Sequence, residues 1–230
     1  MSGSHGPARC LSPRRLVYHL IAVIGLGAAA SSCASGPGAD RSALLDTTRS
    51  AEPAPEQFRV RFETSRGPFV VEVHRAWAPW GVDRFYYLVS RNFYDSTAFF
   101  RVLPGYIAQF GVSGDPQIAA SWRQRLFPDD TVRHDSNLRG RISFANAGPH
   151  TRNTQLFINL KNNPNLDRDY APIGQIVEGM NVVDGLWNGY GDGPPGGGGP
   201  DQGRLFTEGN RYLITEFPKL DYVKTVRVLK

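Results

Sequence analysis

The 230-residue sequence has little cysteine: its only two are Cys10 and Cys33, and both precede residue 58. The later part of the chain therefore cannot form disulfides of its own and must rely on a packed core. Apolar residues make up 40% of the chain and charged residues 20%. This balance is sufficient for a core and excludes global disorder.

Motifs of several enzyme and binding classes are also missing. The sequence has no phosphate-binding glycine loop, no Cys/His set with metal-ligand spacing, no nucleophile elbow and no internal repeat. His74, His134 and His150 are too scattered to indicate a shared metal ion. These absences exclude the covalent-nucleophile and metal-hydrolysis classes as first choices.

The positive charge is small once its position is considered. The formal net charge is +5, but Arg9, Arg14 and Arg15 precede an apolar segment near the N-terminus, where no acidic residue lies. The rest of the chain has 23 basic and 21 acidic residues, a net charge of +2. A basic surface for nucleic acid is therefore not supported, and we expect no nucleic-acid partner.

Residues 1–32 have the layout of an export signal. The pair Arg14 and Arg15 is followed by an apolar stretch, residues 16–30, and then by small residues. The stretch has 15 residues, fewer than the roughly 20 that a membrane-spanning helix needs. We therefore predict a signal peptide and an exported domain.

Two processing sites compete within this segment. The sequence Ala-Ser-Ser-Cys at residues 30–33 resembles a bacterial lipobox, in which Cys33 would be lipidated, although Leu is usual where Ala30 stands. Cleavage after Ala30, an uncleaved anchor and a disordered cytoplasmic tail are the alternatives. The favoured interpretation is a periplasmic lipoprotein attached to the membrane through Cys33. Residues 33–57, rich in Ser, Ala, Gly and Pro, would then form a flexible tether.

Residues 58–230 are expected to form one mainly β domain. Helical periodicity predicts helices at 79–91 and 179–187, while the Gly/Pro run at 192–203 predicts a loop. Residues 111–137 are rich in loop formers, and 204–222 could not be assigned. Apolar and alternating patterns predict short strands at 58–63, 69–73, 97–103, 106–110, 141–145, 155–160, 173–177 and 223–229. Many short strands, with one at each end of the domain, favour a closed antiparallel β-barrel.

Polar residues interrupt three of the apolar strand patterns. Arg101 follows two phenylalanines, Gln109 follows Tyr-Ile-Ala, and Gln155 precedes Leu-Phe-Ile. Regular alternation puts Phe157 on the same face as Gln155. Such a face is poor core design because buried polar groups need partners, but it suits a groove that grips an apolar ring and a peptide backbone. Taken singly, Arg101 could still be a surface residue and Phe157 an ordinary core aromatic.

Two longer motifs carry a family resemblance. Residues 99–109 contain Phe-x-Arg-x-x-Pro-Gly-aromatic-x-x-Gln, and residues 145–158 contain Ala-Asn-Ala-Gly-Pro-x-Thr-x-x-x-Gln-x-Phe-Ile. Both resemble the cyclophilin family of peptidyl-prolyl cis–trans isomerases, and the resemblance extends over about 58–228. It implies a closed eight-stranded β-barrel capped by two helices, with no metal or cofactor. The implied substrates are X-Pro segments of unfolded or flexible polypeptides, and we expect a monomer.

The resemblance also implies roles for particular residues. Arg101 matches the catalytic arginine of the family. The wall of the proline pocket is matched by Phe157, Tyr106, Ile107 and Leu166. The groups that hold the substrate backbone are matched by Gln109, Ala145, Asn146 and Gln155.

Two positions depart from the family pattern: Asn165 stands where many eukaryotic members have Trp, and Tyr170 where His is common. Tyr106 stands where Phe is usual, which adds a hydroxyl but keeps the ring. Tyr170 and Asn165 alter the pocket rim, which puts sequence preference and sensitivity to cyclosporin in doubt. Two other functions stay open at this point: a non-catalytic proline-binding module or scaffold, and a structural lipoprotein working through residues 192–222.

Overall fold

The computed structural model of the protein describes residues 41–45, 52–130 and 135–230. The predicted signal peptide (1–32), the alternative cleavage after Ala30 and the lipidation of Cys33 lie outside the described residues. Within the described ranges, no helix combines the length and the apolar character that crossing a membrane requires.

The described chain contains eight strands and six α-helices. Two further short segments, Arg75–Trp77 and Pro164–Leu166, are 3-10 helices. The strands are β1 Gln57–Thr64, β2 Gly67–His74, β3 Arg101–Leu103, β4 Ile107–Phe110, β5 Arg141–Phe144, β6 Leu156–Asn159, β7 Pro172–Glu178 and β8 Val223–Val228. The helices are α1 Arg41–Leu45, α2 Pro79–Ser90, α3 Pro116–Arg123, α4 Met180–Asp184, α5 Gln202–Glu208 and α6 Asn210–Glu216.

All eight strands belong to one antiparallel sheet, which confirms the mainly β fold but not a closed barrel. The strand order is β3-β4-β6-β5-β7-β2-β1-β8, so β3 and β8 are its edges. Just before these edge strands, a single bridge joins Ala98 to Tyr222, and the amide of Phe99 donates to the carbonyl of Asp221 at 2.9 Å. The closed barrel predicted from the sequence is therefore wrong: the sheet curls but stays open, because only the segments before β3 and β8 meet and no ladder joins the two edge strands.

The strand predicted at 97–103 is shortened to β3. Before Arg101 the chain is extended but has only an isolated bridge, from Ala98 to Tyr222, in place of a ladder. Phe99 is buried in the main core and Phe100 in a second apolar cluster, as expected where successive side chains of an extended chain point in opposite directions.

The main core fills the concave side of the sheet and is covered by α2. Phe62 of β1 stacks on Phe69 of β2 with ring centroids 4.6 Å apart, and Phe85 of α2 stacks on Phe62 at 6.4 Å. Pro79 begins the helix, where its missing N–H is not needed. The predicted helix at 79–91 is thus confirmed.

The expectation of two capping helices is wrong. The second predicted helix, at 179–187, is reduced to the five residues of α4, and α3, α5 and α6 were not predicted. The helices α3, α5 and α6 pack apolar side chains against the segments that precede β3 and follow β4. We call this apolar group the second cluster. Its members are Ala98, Phe100, Val112, Ala119, Leu205, Phe206, Tyr212, Leu213, Phe217 and Leu220.

Part of the predicted tether contacts the domain. In α1, Leu44 is buried in the main core, and its carbonyl accepts a hydrogen bond from the indole N–H of Trp122 at 2.8 Å. Arg41 pairs with Asp115, which caps the start of α3. In the last part of the predicted tether 33–57, Ala54 is also buried, and its amide donates to Asp83 at 2.8 Å. Residues 33–40 and 46–51 lie outside the described residues, and their flexibility stays a prediction.

A buried ion pair connects α2 to the loop between β5 and β6. Arg152 donates to Asp130 at 2.8 Å, and both side chains are almost fully buried. The other contacts of Asp130 are the backbone amides of Trp80 and Gly81, which donate to its oxygens at 2.8 and 3.1 Å. Asp130 thus satisfies two free amides at the first turn of α2 while it neutralises Arg152.

Removing Asp130 should therefore be costly. We expect Asp130→Ala to lower the free energy of unfolding by about 3 kcal/mol, because the amides of Trp80 and Gly81 would lose their acceptor and Arg152 would keep only Asp129 as an ion-pair partner. Asp184→Ala is the matched control: its ion pair with Arg139 is exposed, and its loss should cost less than about 1 kcal/mol. Urea unfolding of both variants measures the difference, and equal costs would contradict this account.

Candidate active site

Three side chains on neighbouring strands form a single row on the outer face of the sheet. Arg101 of β3 is paired in register with Gln109 of β4, and Gln109 is paired with Phe157 of β6. Because directly paired residues in an antiparallel sheet point to the same face, their side chains lie side by side. The adjacent residue on each strand points the other way: Val102, Ala108 and Ile158 are buried in the main core.

Hydrogen bonds extend this row along the sheet. The Nη1 group of Arg101 donates to Oε1 of Gln109 at 3.2 Å, and Nε2 of Gln109 donates to Oε1 of Gln155 at 2.8 Å. Gln109 is 93% buried, so its amide needs both of these partners. The chain of bonds ties the guanidinium of Arg101 to Gln109 and, through it, to Gln155.

The row lies in a groove of about 400 Å³ that contains every catalytic and substrate-binding residue predicted from the sequence. Its apolar end holds Phe157 against Tyr170, edge to face, with ring centroids 5.3 Å apart. Burial raises the pKa of the Tyr170 hydroxyl, which keeps it protonated as a donor. The predicted residues that line the groove are Arg101, Tyr106, Ile107, Gln109, Ala145, Asn146, Gln155, Phe157, Leu166 and Tyr170.

A buried polar network fixes the loop that carries Leu166 and Tyr170. Asn137 accepts from Ser143 of β5 at 2.9 Å and donates to the carbonyl of Tyr170 at 2.8 Å. It also donates to Asp167 at 3.0 Å. Burial by itself would raise the pKa of Asp167, but hydrogen bonds from Ser136 and Asn137 lower it overall. One asparagine therefore connects the sheet to the far wall of the groove.

The opposite wall comes from the loop between β5 and β6. The amide of Ala145 donates to the carbonyl of Gln155 at 2.9 Å, which closes the base of this loop. Nδ2 of Asn146 donates to the carbonyl of Asp169 at 3.1 Å across the groove. The two walls are thus linked directly by a hydrogen bond.

Comparison with known proteins decides the family. Residues 59–196, more than half of the chain, match the family described as cyclophilin type peptidyl-prolyl cis-trans isomerase/CLD. The chain belongs to the cyclophilin family. It is therefore an enzyme of the peptidyl-prolyl isomerase class, as the sequence motifs predicted.

Individual relatives agree with this assignment. The chain is 32% identical over 129 residues to the peptidyl-prolyl cis-trans isomerase-like 1 of Emericella nidulans, covering 54% of this chain and 78% of that protein. It is 33% identical over 128 residues to the isomerase ppi1 of Schizosaccharomyces pombe, covering 54% and 81%. These relatives are eukaryotic, so a bacterial lipoprotein stays a prediction.

Solved structures show the same fold. A Cryptosporidium parvum cyclophilin type isomerase matches with a TM-score of 0.56 at 20% identity, over 76% of this chain and 98% of the other. A second crystal structure of that isomerase, in the presence of the dipeptide Ala-Pro, matches with a TM-score of 0.55. This likeness supports the cyclophilin fold alone.

Several groove residues of this cyclophilin were not predicted. Thr151 and Asn153 lie inside the second motif, and Gln202 at the start of α5 reaches the groove from a distant segment. Asp192, from the Gly/Pro loop, pairs directly with Arg101. Thr151 and Asn153 could have been inferred from their motif, but no local pattern in 192–203 indicates where a side chain points. Within the described ranges, no group of three His, Cys, Asp or Glu side chains could hold a metal ion.

The Asn137 network should matter for both stability and substrate affinity. We expect Asn137→Ala to lower the free energy of unfolding by about 1–3 kcal/mol, since it leaves buried polar groups unpaired. It should also raise KM, because Leu166 and Tyr170 lose their support. Lys161→Ala, an exposed change in the loop between β6 and β7, should alter stability by no more than about 0.5 kcal/mol. Unchanged stability and KM in Asn137→Ala would refute this role.

Proposed function

We propose that this cyclophilin isomerises X-Pro bonds with Arg101 as its catalytic residue and Phe157 as the floor of its proline pocket. The observation that carries the proposal is the cross-strand row of Arg101, Gln109 and Phe157 within one groove. A cation with free donors thus lies next to a surface that fits an apolar ring. Both features are needed to hold a proline and act on its nitrogen.

The reaction requires a held geometry more than a reactive group. Rotation of a peptide bond faces a barrier of about 18–20 kcal/mol, because resonance gives the C–N bond partial double-bond character. Uncatalysed X-Pro isomerisation takes tens to hundreds of seconds. No covalent bond breaks, so neither a nucleophile nor a general base has to act.

Arg101 would act on the twisted state of the bond. As the C–N bond rotates, the lone pair of the proline nitrogen localises, and the guanidinium can donate a hydrogen bond to it. A hydrogen bond to a charged group is worth roughly 1.5–3 kcal/mol, or about 10- to 100-fold in rate. Because the planar amide offers no such lone pair, this interaction favours the twisted state over either ground state.

The remaining groove residues would hold the substrate still. Phe157, Ile107 and Leu166 would bury the proline ring, with Tyr106 beside them. Gln109, Ala145, Asn146 and Gln155 would bind the flanking backbone, which fixes one side of the bond while the other side turns. The presence of Ala-Pro in a structurally similar isomerase supports a proline-containing ligand here. Tyr170 and Asn165 would then set the preference for residues around the proline.

We further propose that the protein works outside the cytoplasm, on exported or envelope proteins, as a lipid-anchored monomer. The support is the order of a basic head, an apolar stretch and a lipobox-like sequence in residues 1–33. A flexible tether after Cys33 would let the domain reach clients near the membrane surface.

Replacement of Arg101 tests the proposed mechanism. We expect Arg101→Ala, in the full-length chain, to lower kcat about 10- to 100-fold with little change in KM. A protease-coupled assay on an X-Pro peptide measures both constants. Phe157→Ala should instead act mainly on KM, because it removes contacts made equally in the ground and twisted states. If a folded Arg101→Ala variant kept near wild-type kcat, the proposed catalytic role of Arg101 would be wrong.

The proposed lipid anchor is tested by measuring the intact mass of the membrane-extracted protein. Protein extracted from membranes should have lost residues 1–32 and should carry a diacylglyceryl mass increment on Cys33. In Cys33→Ala, that increment should disappear and the protein should leave the membrane fraction. A mass that corresponds to cleavage after Ala30, or to the intact chain, would overturn the lipoprotein proposal without affecting the proposed catalysis.

A further inference from the structure

A carboxylate from a distant loop contacts the central arginine of the groove. Oδ1 of Asp192 accepts from Nε of Arg101 at 2.6 Å, and Oδ2 accepts from Nη2 at 3.0 Å. The pair is bidentate, which is the strongest and most directional arrangement of these two groups. The hydrogen bonds from Arg101 lower the pKa of Asp192, so the carboxylate is charged at neutral pH.

These bonds leave a defined set of donors for a substrate. A guanidinium has five N–H groups, and Asp192 and Gln109 together occupy three of them. One N–H on each of the two Nη atoms is left over. Asp192 holds the guanidinium along the edge formed by Nε and Nη2, while Gln109 holds it at Nη1. The two remaining donors therefore have set directions.

The glycine run of the loop is wrapped around Asp192. The amide of Gly199 donates to the carbonyl of Asp192 at 2.8 Å, and the amide of Gly193 donates to its Oδ1 at 2.9 Å. A Cβ atom on Gly197 would lie 2.5 Å from the same carbonyl oxygen, well inside contact distance. A Cβ atom on Gly198, in contrast, would meet nothing within 4 Å. The run thus needs glycine at particular positions for close backbone approach.

Both ends of the loop are attached to the second cluster and its surroundings. Before the loop, the amide of Trp187 donates to Asp221 at 2.7 Å. After it, the amide of Asp201 donates to the hydroxyl of Tyr212 at 2.9 Å. Tyr190, which also precedes the loop, packs edge to face on Phe217 with ring centroids 5.0 Å apart. The loop that carries Asp192 is therefore held in place by α6 and the segment before β8.

We propose that Asp192 is a positioning residue, which holds the Arg101 guanidinium in the orientation that isomerisation requires, and that the Gly/Pro loop serves to place it. This inference rests on the proposed role of Arg101. Asp192 acts through Arg101 and does not touch the substrate nitrogen. An unpaired arginine side chain would lose rotational freedom when it binds the twisted X-Pro bond. Because the ion pair with Asp192 already restricts the side chain, this entropic cost is met before the substrate binds.

Replacement of Asp192 gives the direct test. In the full-length chain, Asp192→Ala should lower kcat about 10-fold and leave KM within about twofold. Asp192→Asn, which can still accept one hydrogen bond, should restore part of the lost rate. In the Arg101→Ala background, Asp192→Ala should have no further effect. An unchanged kcat in Asp192→Ala would overturn the inference, and a higher kcat would show that the contact inhibits the enzyme.

Two neighbouring glycines test the role of the loop. Gly197→Ala should reproduce the loss in kcat, because its methyl group displaces the backbone of Asp192, and it should add little in the Asp192→Ala background. Gly198→Ala is the matched control and should behave as wild type. Equal activity of the two glycine variants would refute the placing role. If Arg101→Ala itself has normal kcat, the proposed mechanism fails; if only Asp192→Ala does, the positioning inference fails alone.

Discussion

The antiparallel register of β3, β4 and β6 is the constraint on which the site depends. It brings Arg101, Gln109 and Phe157 from separate parts of the chain into one row on one face. Since side chains alternate between faces, a slip by one residue would replace a polar member with an apolar neighbour such as Ala108. Apolar packing on the inner face prevents that slip, so the core and the groove are determined by the same pairing.

Much of the fold and the groove could be predicted from the sequence because the relevant patterns are local. Alternation over a few residues identified strands such as β1 and β2, and a Pro-led amphipathic pattern identified α2. The two motifs at 99–109 and 145–158 assigned eight residues to one site before any contact was known, and the wider family resemblance added Leu166 and Tyr170. The roles of these residues depend on residue type and on strand alternation, and a few consecutive residues are enough to recognise either.

The features that could not be predicted depend on contacts between distant segments. The helices α5 and α6 have only seven residues each, and Gly209 separates them, so neither shows a clear helical period. Before β3, the chain pairs with the distant segment before β8 through an isolated bridge and not a ladder, which no local pattern indicates. Asp192 lies 91 residues from Arg101 in a stretch whose composition indicates only a loop.

The second cluster has a consequence for where this domain ends. The family match stops at residue 196, yet α5, α6 and the edge strand β8 all follow it. A protein truncated at that boundary would expose Phe100 and Val112 to water and would leave β1 as an unpaired edge, which is a template for aggregation. The last 34 residues are therefore part of one cooperative unit with the barrel-like sheet, and should be kept whenever the domain is expressed in isolation or fused to another protein.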